Sequence, residues 1–439
     1  MDLWGTLEVN DKGHLQIGGC DTVDLVRKYG TPLYVMDEAH IRNTCRKYKN
    51  TIAQEYGDGL VLFASKAFLT TAMCKIIHQE GLGLDAVSGG ELYTAIKASF
   101  PMEKVYFHGN NKTLDELEMA IEAGIACIVV DNMSELMLIE ECAQKFHRQI
   151  SVSIRVKPGI EAHTHHYIQT GQIDSKFGLG IESGEAMTAI RAVLRSSFLR
   201  LKGIHCHIGS QIFDVQPYRI AVDVMTDFIV QVKKETGFEI PEINFGGGFG
   251  IRYIREDSPQ DPRVYVRAIL DELKIQCKKK RIKRPFFIIE PGRSIVGEAG
   301  TTLYTVGYIK NIPGIRKYVS VDGGMTDNPR PALYQAKYRA IIANKANRHG
   351  EEIVSIAGKC CESGDMLIWE IELPRVERND ILAVFATGAY NYSMASNYNK
   401  TPIPAVVLVK DGKSDLMVRR QTYEDLLRND CIPSWLQDK

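Results

Sequence analysis

The hydrophobic positions of the chain follow one pattern up to about residue 300 and another after it. In the first part, short apolar runs alternate with segments such as 113–124, which carry apolar residues at every third or fourth position. The short runs are typical of buried strands, and the periodic segments are typical of amphipathic helices. The alternation predicts eight strands, at 61–67, 83–88, 105–109, 127–131, 151–156, 201–209, 243–248 and 286–292.

Eight strands with helices between them, over roughly 230 residues, match the usual size of a (β/α)8 barrel. An open, doubly wound sheet is the alternative, although it rarely uses eight consecutive units. We therefore expect a TIM-type barrel over residues 35–299.

After residue 300 the chain is predicted to form an all-β domain. Apolar runs such as TTLYTVGYI (301–309) and ILAVFATG (381–388) are joined by turn residues. The opening segment GTLEVNDKGHLQIGG (5–19) is typical of a β-hairpin, and we expect it to join the same domain. The second predicted domain is thus 1–34 together with 300–439.

Composition indicates a globular protein of two domains without an extended charged surface. A chain of 439 residues exceeds the usual size of a single core. Its 54 basic and 54 acidic residues balance, so no overall field favours nucleic acid or an anionic membrane. The basic run KKKRIKR (278–284) follows a helix-like segment, and cations are favoured at a helix C-terminus. We expect neither a nucleic-acid nor a membrane partner.

The first residues and the cysteines indicate the cytoplasm. The N-terminal segment lacks the apolar core of a signal peptide, and apolar runs such as IACIVV are too short to cross a membrane. The ten cysteines include no C-x-x-C pair, and only Cys360 and Cys361 are adjacent. Neither a zinc ribbon nor a disulfide framework is therefore predicted.

Candidate chemistry collects at the predicted strand ends, where barrel enzymes place their active sites. Lys66 interrupts an apolar strand in LFASKAF. Such a lysine either reaches solvent or serves as a nucleophilic amine that forms a Schiff base. The other polar residues at strand ends are Asp85, His108, Arg155, His207, Glu290 and Arg293.

Two turns near the last strands suit an anion. FGGGFG (245–250) offers bare backbone N–H groups after the seventh strand, and EPGR (290–293) follows the eighth. Phosphate sites in barrels usually follow these two strands. Arg293 suits a carboxylate or phosphate, and Glu290 suits a cationic partner.

A metal site is the competing interpretation. His205 and His207 in HCHIGS lie two residues apart on one strand face, as in barrel metallohydrolases. That chemistry needs further histidines on later strands, and only His349 follows. The cluster EAHTHH (161–166) is predicted to be a loop with a solvated or packing role. We therefore expect no metal.

Nine motifs, in order over nearly the whole chain, carry a family likeness. They are ASKAF, DAVSGGE, FHGNNK, EAHTHHYIQTGQIDSKFG, GIHCHIGSQ, FGGGFG, IEPGRS, CCESGD and GAYNYSM. In these motifs the chain resembles the diaminopimelate decarboxylases, pyridoxal-phosphate enzymes with an alanine-racemase-type barrel and a β-domain. The resemblance implies pyridoxal 5'-phosphate as cofactor and a homodimer with shared active sites. The implied reaction converts meso-2,6-diaminopimelate to L-lysine and CO2, the last step of lysine biosynthesis by the diaminopimelate route.

The resemblance assigns roles to barrel residues. Lys66 matches the lysine that forms the Schiff base with the cofactor, and His207 matches the histidine that stacks on its ring. Glu290 matches the residue that keeps the pyridine nitrogen protonated, which makes the ring an electron sink. The other matched cofactor contacts are Asp85, Ser210, Gly246, Gly247, Gly248, Pro291, Gly292, Arg293 and, from the β-domain, Tyr390.

The resemblance also assigns substrate groups, most of them in the β-domain. Cys361 matches the proton donor, which is inserted into the active site of the other subunit. Cys360 has no matched role and is expected to pack. By analogy with related decarboxylases, Asp365 is expected to face Lys176 across the interface. The matched substrate contacts are Arg293, Arg330, Tyr334, Glu362 and Tyr390.

Two alternatives to a diaminopimelate decarboxylase share these motifs in part. A binding-only relative would be expected to lack Lys66 or Cys361, and both are present. An ornithine or arginine decarboxylase would need an acidic distal pocket, whereas RPALY (330–334) and Glu362 favour diaminopimelate. The segment HTHHYIQTGQIDS (163–175) is the expected mobile element over the site.

Overall fold

The computed structural model describes residues 3–159 and 175–437. The chain forms two compact units. The barrel unit consists of residues 41–297, and the β-unit joins the segment up to His40 to the segment from Glu298 onward.

The predicted N-terminal hairpin is confirmed and belongs to the β-unit. Its strands β1 and β2 are antiparallel, with Glu8 opposite Gln16. Leu15 and Ile17 are buried in one core with Leu303. The elements of this segment are β1 (Glu8–Val9), β2 (Leu15–Ile17), β3 (Cys20–Asp21), α1 (Thr22–Tyr29) and β4 (Leu33–Asp37).

Strands and helices alternate from residue 38 to residue 296, as the periodicity predicts. The elements are α2 (Glu38–Glu55), β5 (Gly59–Ala64), α3 (Thr71–Gln79), β6 (Gly83–Ala86), α4 (Gly89–Lys97), β7 (Val105–Phe107), α5 (Leu114–Ala123), β8 (Cys127–Val130), α6 (Met133–Lys145), β9 (Ile150–Lys157), β10 (Leu179–Gly180), α7 (Glu185–Arg195), β11 (Leu199–His205), α8 (Gln216–Thr236), β12 (Glu242–Asn244), α9 (Pro262–Lys280), β13 (Phe286–Ile289) and α10 (Arg293–Val296).

Eight of these strands close into a barrel. They pair in parallel in the order β5–β6–β7–β8–β9–β11–β12–β13, and β13 pairs with β5 to complete the ring. Strand β10 pairs with β9 outside the ring. The predicted (β/α)8 barrel is therefore confirmed, and an open doubly wound sheet is excluded.

Local sequence sets the limits of the helices. In α5, the Thr113 hydroxyl accepts from the Glu116 N–H while the Glu116 side chain accepts from the Thr113 N–H, which forms a capping box. The same helix ends at Gly124, which adopts a left-handed conformation. Across residues 3–159 and 175–437, no helix combines the length and apolarity needed to cross a membrane.

The basic run 278–284 lies where α9 ends. Lys280 forms ion pairs with Asp223 and Asp227 of α8, each at 2.8 Å. Arg281 then ends the helix in a left-handed conformation. The position agrees with the helix-end role predicted for these cations.

The C-terminal part of the β-unit is mostly sheet. Its core includes Leu33, Val35, Leu303 and Val407, all fully buried. Its elements are β14 (Gly300–Ile312), β15 (Arg316–Val321), α11 (Arg330–Tyr334), β16 (Ala340–Ile342), β17 (Glu352–Ala357), β18 (Met366–Leu373), β19 (Ile381–Phe385), β20 (Ala405–Lys410), β21 (Lys413–Val418) and α12 (Tyr423–Leu427).

Strand β4 is an interior strand of this sheet. The order is β18–β17–β15–β14–β4–β20–β21, and β19 pairs with both β14 and β16. Val35 of β4 lies opposite Thr301 of β14 on one side and Val407 of β20 on the other. A domain boundary at residue 35, as predicted, would cut through this strand, and the unit observed in the structure extends to residue 40.

Candidate active site

The barrel brings candidate residues together at the carboxyl ends of its strands. Lys66 lies in one turn of 3₁₀ helix, Ser65–Ala67, directly after β5. Asp85 lies in β6 and His108 directly follows β7. Glu290 directly follows β13. Because the strands are parallel neighbours in a closed ring, these side chains meet at one mouth.

Glu290 is buried, at 7% exposure, and nitrogen atoms of three side chains lie close to its carboxylate. His108 Nε2 lies 2.9 Å from Oε1, and His205 Nε2 lies 3.1 Å from Oε2. The Asn244 amide donates to Oε1 at 2.6 Å. Burial alone would raise the pKa of Glu290, but its interactions with His108 and His205 outweigh burial and hold that pKa well below its usual range. Glu290 is therefore an anion in a dry site.

His205 donates its hydrogen bond as a neutral ring. Burial lowers the pKa of His205 to about 4, against the opposing charge of Glu290. Its Nδ1 is buried and has no hydrogen-bond partner within the described part of the chain. We therefore place the proton of the neutral ring on Nε2, from which it is donated to Glu290. At neutral pH His205 acts on the carboxylate through this hydrogen bond.

Asp85 is a second buried carboxyl group, at 3% exposure. Burial raises the pKa of Asp85, and the charge of His108 opposes the rise. Its Oδ1 lies 3.8 Å from His108 Nε2 and accepts no hydrogen bond from any residue that the structure describes. An unpaired buried acceptor is costly, so Asp85 suits a ligand that brings a donor or a positive charge.

Lys66 is exposed at the mouth of the barrel. Burial lowers the pKa of His207 well below its usual range, and the positive charge of Lys66 is the second cause. The same charge lowers the pKa of Asp85 against the effect of burial. The amine of Lys66 is therefore close to both groups and open to a small molecule, as a nucleophilic role requires.

The glycine turn after β12 lies directly against the end of β13. Gly246 has a φ of 65°, a left-handed conformation that favours glycine. Its N–H donates to Asn244 Oδ1 at 2.9 Å, and its carbonyl accepts from the Glu290 N–H at 2.7 Å. The N–H of Gly247 donates to His207 Nδ1 at 3.3 Å. A Cβ on Gly247 would collide with the carbonyl of Glu290.

Arg293 begins α10, and its side chain is buried. Its Nη1 donates to the Tyr253 hydroxyl at 2.6 Å, and its Nη2 donates to Ser210 Oγ at 3.0 Å. A Cβ on Gly292 would lie 3.1 Å from the carbonyl of Ala64, so the chain enters this helix in tight contact with β5. A hydroxyl and a guanidinium beside a glycine turn suit a phosphate group.

These residues fit pyridoxal 5'-phosphate. Lys66 offers the amine that its aldehyde requires, and Glu290 offers a fixed anion for the ring nitrogen. The unpaired oxygen of Asp85 marks a place for a further donor or cationic group. The glycine turn and Ser210 offer donors for the phosphate.

A metal is the other group that these residues could hold. Within the residues that the structure describes, the ligand atoms of His108, His205 and Glu290 lie within 4.8 Å of one another. In the structure His205 Nε2 is hydrogen-bonded to the carboxylate of Glu290, and His108 Nε2 lies 2.9 Å from it. We assign the two histidines to holding that carboxylate.

The two cysteines lie on the turn that follows β17 in the β-unit. Cys361 and Glu362 are exposed, and Cys360 is half-buried. Burial and then the charge of Asp365 raise the pKa of Cys360 to about 11. Asp365 itself is buried at 3%, and its carboxylate accepts backbone N–H groups of its own chain. The expected contact of Asp365 with Lys176 of the other subunit stays a prediction.

The other predicted substrate residues also belong to the β-unit. Arg330 begins α11, is 8% exposed, and donates from Nη1 to the Tyr338 hydroxyl at 2.6 Å. Tyr334 ends the same helix and is half-buried. Tyr390 is half-buried and has a φ of 61°, which is unusual for a residue with a side chain.

One predicted element falls outside the described residues. The expected mobile segment 163–175 lies there except for Ser175, and so do His163, His165 and His166 of the histidine cluster.

Several residues that build the site carry no specific signal in the sequence. Asn244 connects Glu290 to the glycine turn, and only its place at a strand end beside the glycines marks it. The HCHIGS motif marks His205, but its hydrogen bond goes to Glu290 rather than to a metal. The strand pattern marks Arg155 but not its partner Asp131, whose Oδ1 lies 3.8 Å from Arg155 Nη1.

The barrel unit matches a known protein family. The family model described as "Pyridoxal-dependent decarboxylase, pyridoxal binding domain" matches residues 38–297. This range covers every helix and strand of the barrel unit.

Curated relatives and solved structures match nearly the whole chain. A diaminopimelate decarboxylase of Bacillus methanolicus is 54% identical over 96% of this chain and 98% of its own length. One of Bacillus subtilis is 52% identical over 98% of both. The crystal structure of the diaminopimelate decarboxylase from M. jannaschii, in complex with L-lysine, has a TM-score of 0.91 at 40% identity and covers 98% of this chain and 99% of its own.

Proposed function

We propose the activity of this chain from one premise: it belongs to the diaminopimelate decarboxylases, a family of pyridoxal-dependent enzymes. The proposed reaction removes one carboxyl group of meso-2,6-diaminopimelate as CO2. A proton replaces that carboxyl group on the same carbon, and the product is L-lysine. Pyridoxal 5'-phosphate, when bound, supplies the electron sink that accepts the electron pair of the broken bond.

The observation that carries the proposal is the buried anion of Glu290. Three nitrogen atoms of His108, His205 and Asn244 surround its carboxylate at 2.6 to 3.1 Å. A buried carboxylate that stays charged at the mouth of the barrel would stabilise a positive charge on the ring nitrogen of the cofactor. Lys66 stands exposed at the same mouth and would hold the cofactor through its amine.

Other barrel residues orient the cofactor in this proposal. His207 would pack against the face of the cofactor ring, and its neutral state is favoured by burial and by the charge of Lys66. The glycine turn and Ser210 would take the phosphate, and Arg293 donates to the Ser210 hydroxyl and holds it in place. Asp85 supplies the remaining buried acceptor.

We infer the substrate contacts from the family likeness. Cys361 of the partner subunit supplies the proton, and Glu362 binds the substrate ammonium group; both side chains are exposed on their turn. Arg293 and Arg330 bind the distal carboxylate of the substrate. Tyr334 and Tyr390 are the remaining substrate contacts. A substrate without that carboxylate would lose its charge-assisted hydrogen bonds to these arginines, each worth about 1.5–3 kcal/mol. The enzyme is a homodimer in this proposal, with each active site shared.

The test is cofactor attachment and product identity in one preparation. We expect the purified chain with pyridoxal 5'-phosphate to show a visible absorbance band and to release L-lysine from meso-diaminopimelate. Borohydride should bleach the band and fix the cofactor mass to the peptide that contains Lys66. Lys66→Ala should lose band and turnover, whereas Lys75→Ala, on the exposed face of α3, should keep both. Turnover by Lys66→Ala would overturn the assignment.

A further inference from the structure

The turn that carries the two cysteines is held at two consecutive backbone N–H groups. We call residues 358–365 the thiol turn. The N–H of Cys360 donates to Asp365 Oδ2 at 2.7 Å. The N–H of Cys361 donates to Asn399 Oδ1 at 2.9 Å. Two side chains from different parts of the β-unit therefore fix two consecutive peptide groups, the one before Cys360 and the one between the cysteines.

Asp365 is the buried anchor of the thiol turn. Its Oδ1 accepts from the N–H of Met325 at 2.6 Å, and its carbonyl accepts from the N–H of Gly358 at 2.8 Å. A Cβ on Gly358 would collide with the carboxylate, and one on Gly324 would lie 2.5 Å from it. The carboxylate is thus clamped between two glycine backbones, and it ties the thiol turn to the turn after β15.

Asn399 is the exposed anchor. It lies in the short 3₁₀ segment Tyr398–Lys400 with φ 53° and ψ 26°, in the left-handed region. Asparagine tolerates this region better than most residues with a side chain. This backbone presents the amide oxygen of Asn399 to the N–H of Cys361.

The two anchors give the adjacent thiols different surroundings. Cys360 is half-buried beside the carboxylate of Asp365, whereas Cys361 is exposed. Hydrogen bonds to the N–H groups of both cysteines hold their peptide planes, and with them the directions in which the two side chains leave the backbone. A proton donor must be held in place to act, because a misplacement of about 1 Å can cost about 100-fold in rate.

We propose that Asp365 and Asn399 are positioning residues that hold the thiol turn so that Cys361, and not Cys360, presents its thiol to the substrate. This inference rests on the proposed role of Cys361 as the proton donor. It deepens that role, because it assigns the choice between two neighbouring thiols to two hydrogen bonds.

The test compares Asn399→Gly with Asn399→Asp in the holoenzyme. Glycine keeps the left-handed backbone and removes the acceptor, whereas aspartate keeps an acceptor oxygen at the same place. We expect Asn399→Gly to lower kcat about tenfold or more with little change in KM, and Asn399→Asp to stay near the wild type. Asp365→Asn replaces one of the two acceptor oxygens with an NH2 group, which cannot accept from the N–H of Met325 or Cys360. This variant should therefore lower kcat further.

A second readout follows the thiols without turnover. Iodoacetamide labelling, resolved by peptide mass, should favour Cys361 over Cys360 in the wild type and in Asn399→Asp. The preference should fall in Asn399→Gly. If both Asn399 variants match the wild type in kcat and in labelling preference, the positioning inference is overturned.

Cysteine variants separate this inference from the proposed function. Cys361→Ala should lose most of kcat, and Cys360→Ala should stay near the wild type. If Cys361→Ala keeps wild-type kcat, the proton-donor assignment fails, and the inference built on it fails too. If Cys361→Ala is inactive while Asn399→Gly is unaffected, the proposed function stands and only the positioning inference falls.

Discussion

The charge on Glu290 depends on its neighbours more than on its own burial. A carboxyl group at 7% exposure would favour its neutral form. The nitrogens of His108, His205 and Asn244 reverse that preference. The site therefore keeps the buried Glu290 charged, and it does so in part by burying His205 as a neutral ring.

The buried histidine predicts how stability changes with pH. The pKa of His205 falls from its ordinary 6.5 to about 4 on folding. Between these values the unfolded chain binds more protons, so the free energy of unfolding falls as the pH drops through this window. The full effect is on the order of 3 kcal/mol. We expect His205→Gln, which keeps an N–H donor and does not titrate, to show a shallower acid slope.

Urea unfolding of the chain at several pH values measures this slope. His147→Gln is the matched control, because His147 is exposed and lies outside the site. Equal slopes for the wild type and His205→Gln would contradict the assignment of His205 as a buried neutral ring.

Single residues at strand ends were predictable, and their partners were not. The strand pattern puts Lys66 and Glu290 at strand ends, and the geometry of a barrel brings these ends together at its mouth. The hydrogen bond from His205 to Glu290 joins residues 85 positions apart, and that from Cys361 to Asn399 joins residues 38 apart. No local pattern reports such pairs, because they depend on how strands and turns meet in the fold.

Among the elements, the glycine turn after β12 sets the distance between two strand ends. We expect Gly247→Ala to lower the free energy of unfolding by about 1–3 kcal/mol, because its Cβ would collide with the backbone at Glu290. It should also weaken the binding of pyridoxal 5'-phosphate, measured by the visible band.

Gly90→Ala is the matched control for that substitution. Gly90 lies in α4, and the nearest atom to an added Cβ is Ser88 Oγ at 3.7 Å. Its effect should stay within about 1 kcal/mol. Normal stability and cofactor affinity in Gly247→Ala would show that the turn has room that the structure does not indicate.

The periodicity of the sequence predicted the barrel elements better than their ends. The predicted first strand runs to residue 67, whereas β5 ends at Ala64 and a 3₁₀ turn follows. The predicted seventh strand includes the glycines, whereas β12 ends at Asn244. In both places apolar or small residues continue after the strand pairing ends. Composition alone therefore does not mark the last residue of the strand. The two-residue strand β10 had no pattern of its own.

At the scale of the whole molecule, the proposed shared site predicts complementation. Lys66→Ala and Cys361→Ala homodimers should each be inactive, because every site of the first lacks the lysine and every site of the second lacks the thiol. Mixed after subunit exchange, they should form hybrids with one intact site, and random pairing should restore up to about a quarter of the wild-type activity.

Release of L-lysine from meso-diaminopimelate by the mixture, compared with each variant alone, measures the recovery. Exchange should first be verified with chains of different mass. Verified exchange with no recovered activity would argue against a site built from two chains.

The place of β4 in the β-unit has a consequence for synthesis on the ribosome. This strand leaves the ribosome before the barrel, while its sheet neighbours β14 and β20 are made after it. Until then both edges of an apolar strand lack their pairing partners. Domains usually fold as they emerge, but here the barrel can close long before the sheet does. Nascent chains that stall after residue 297 should therefore be prone to aggregate and should depend on chaperones.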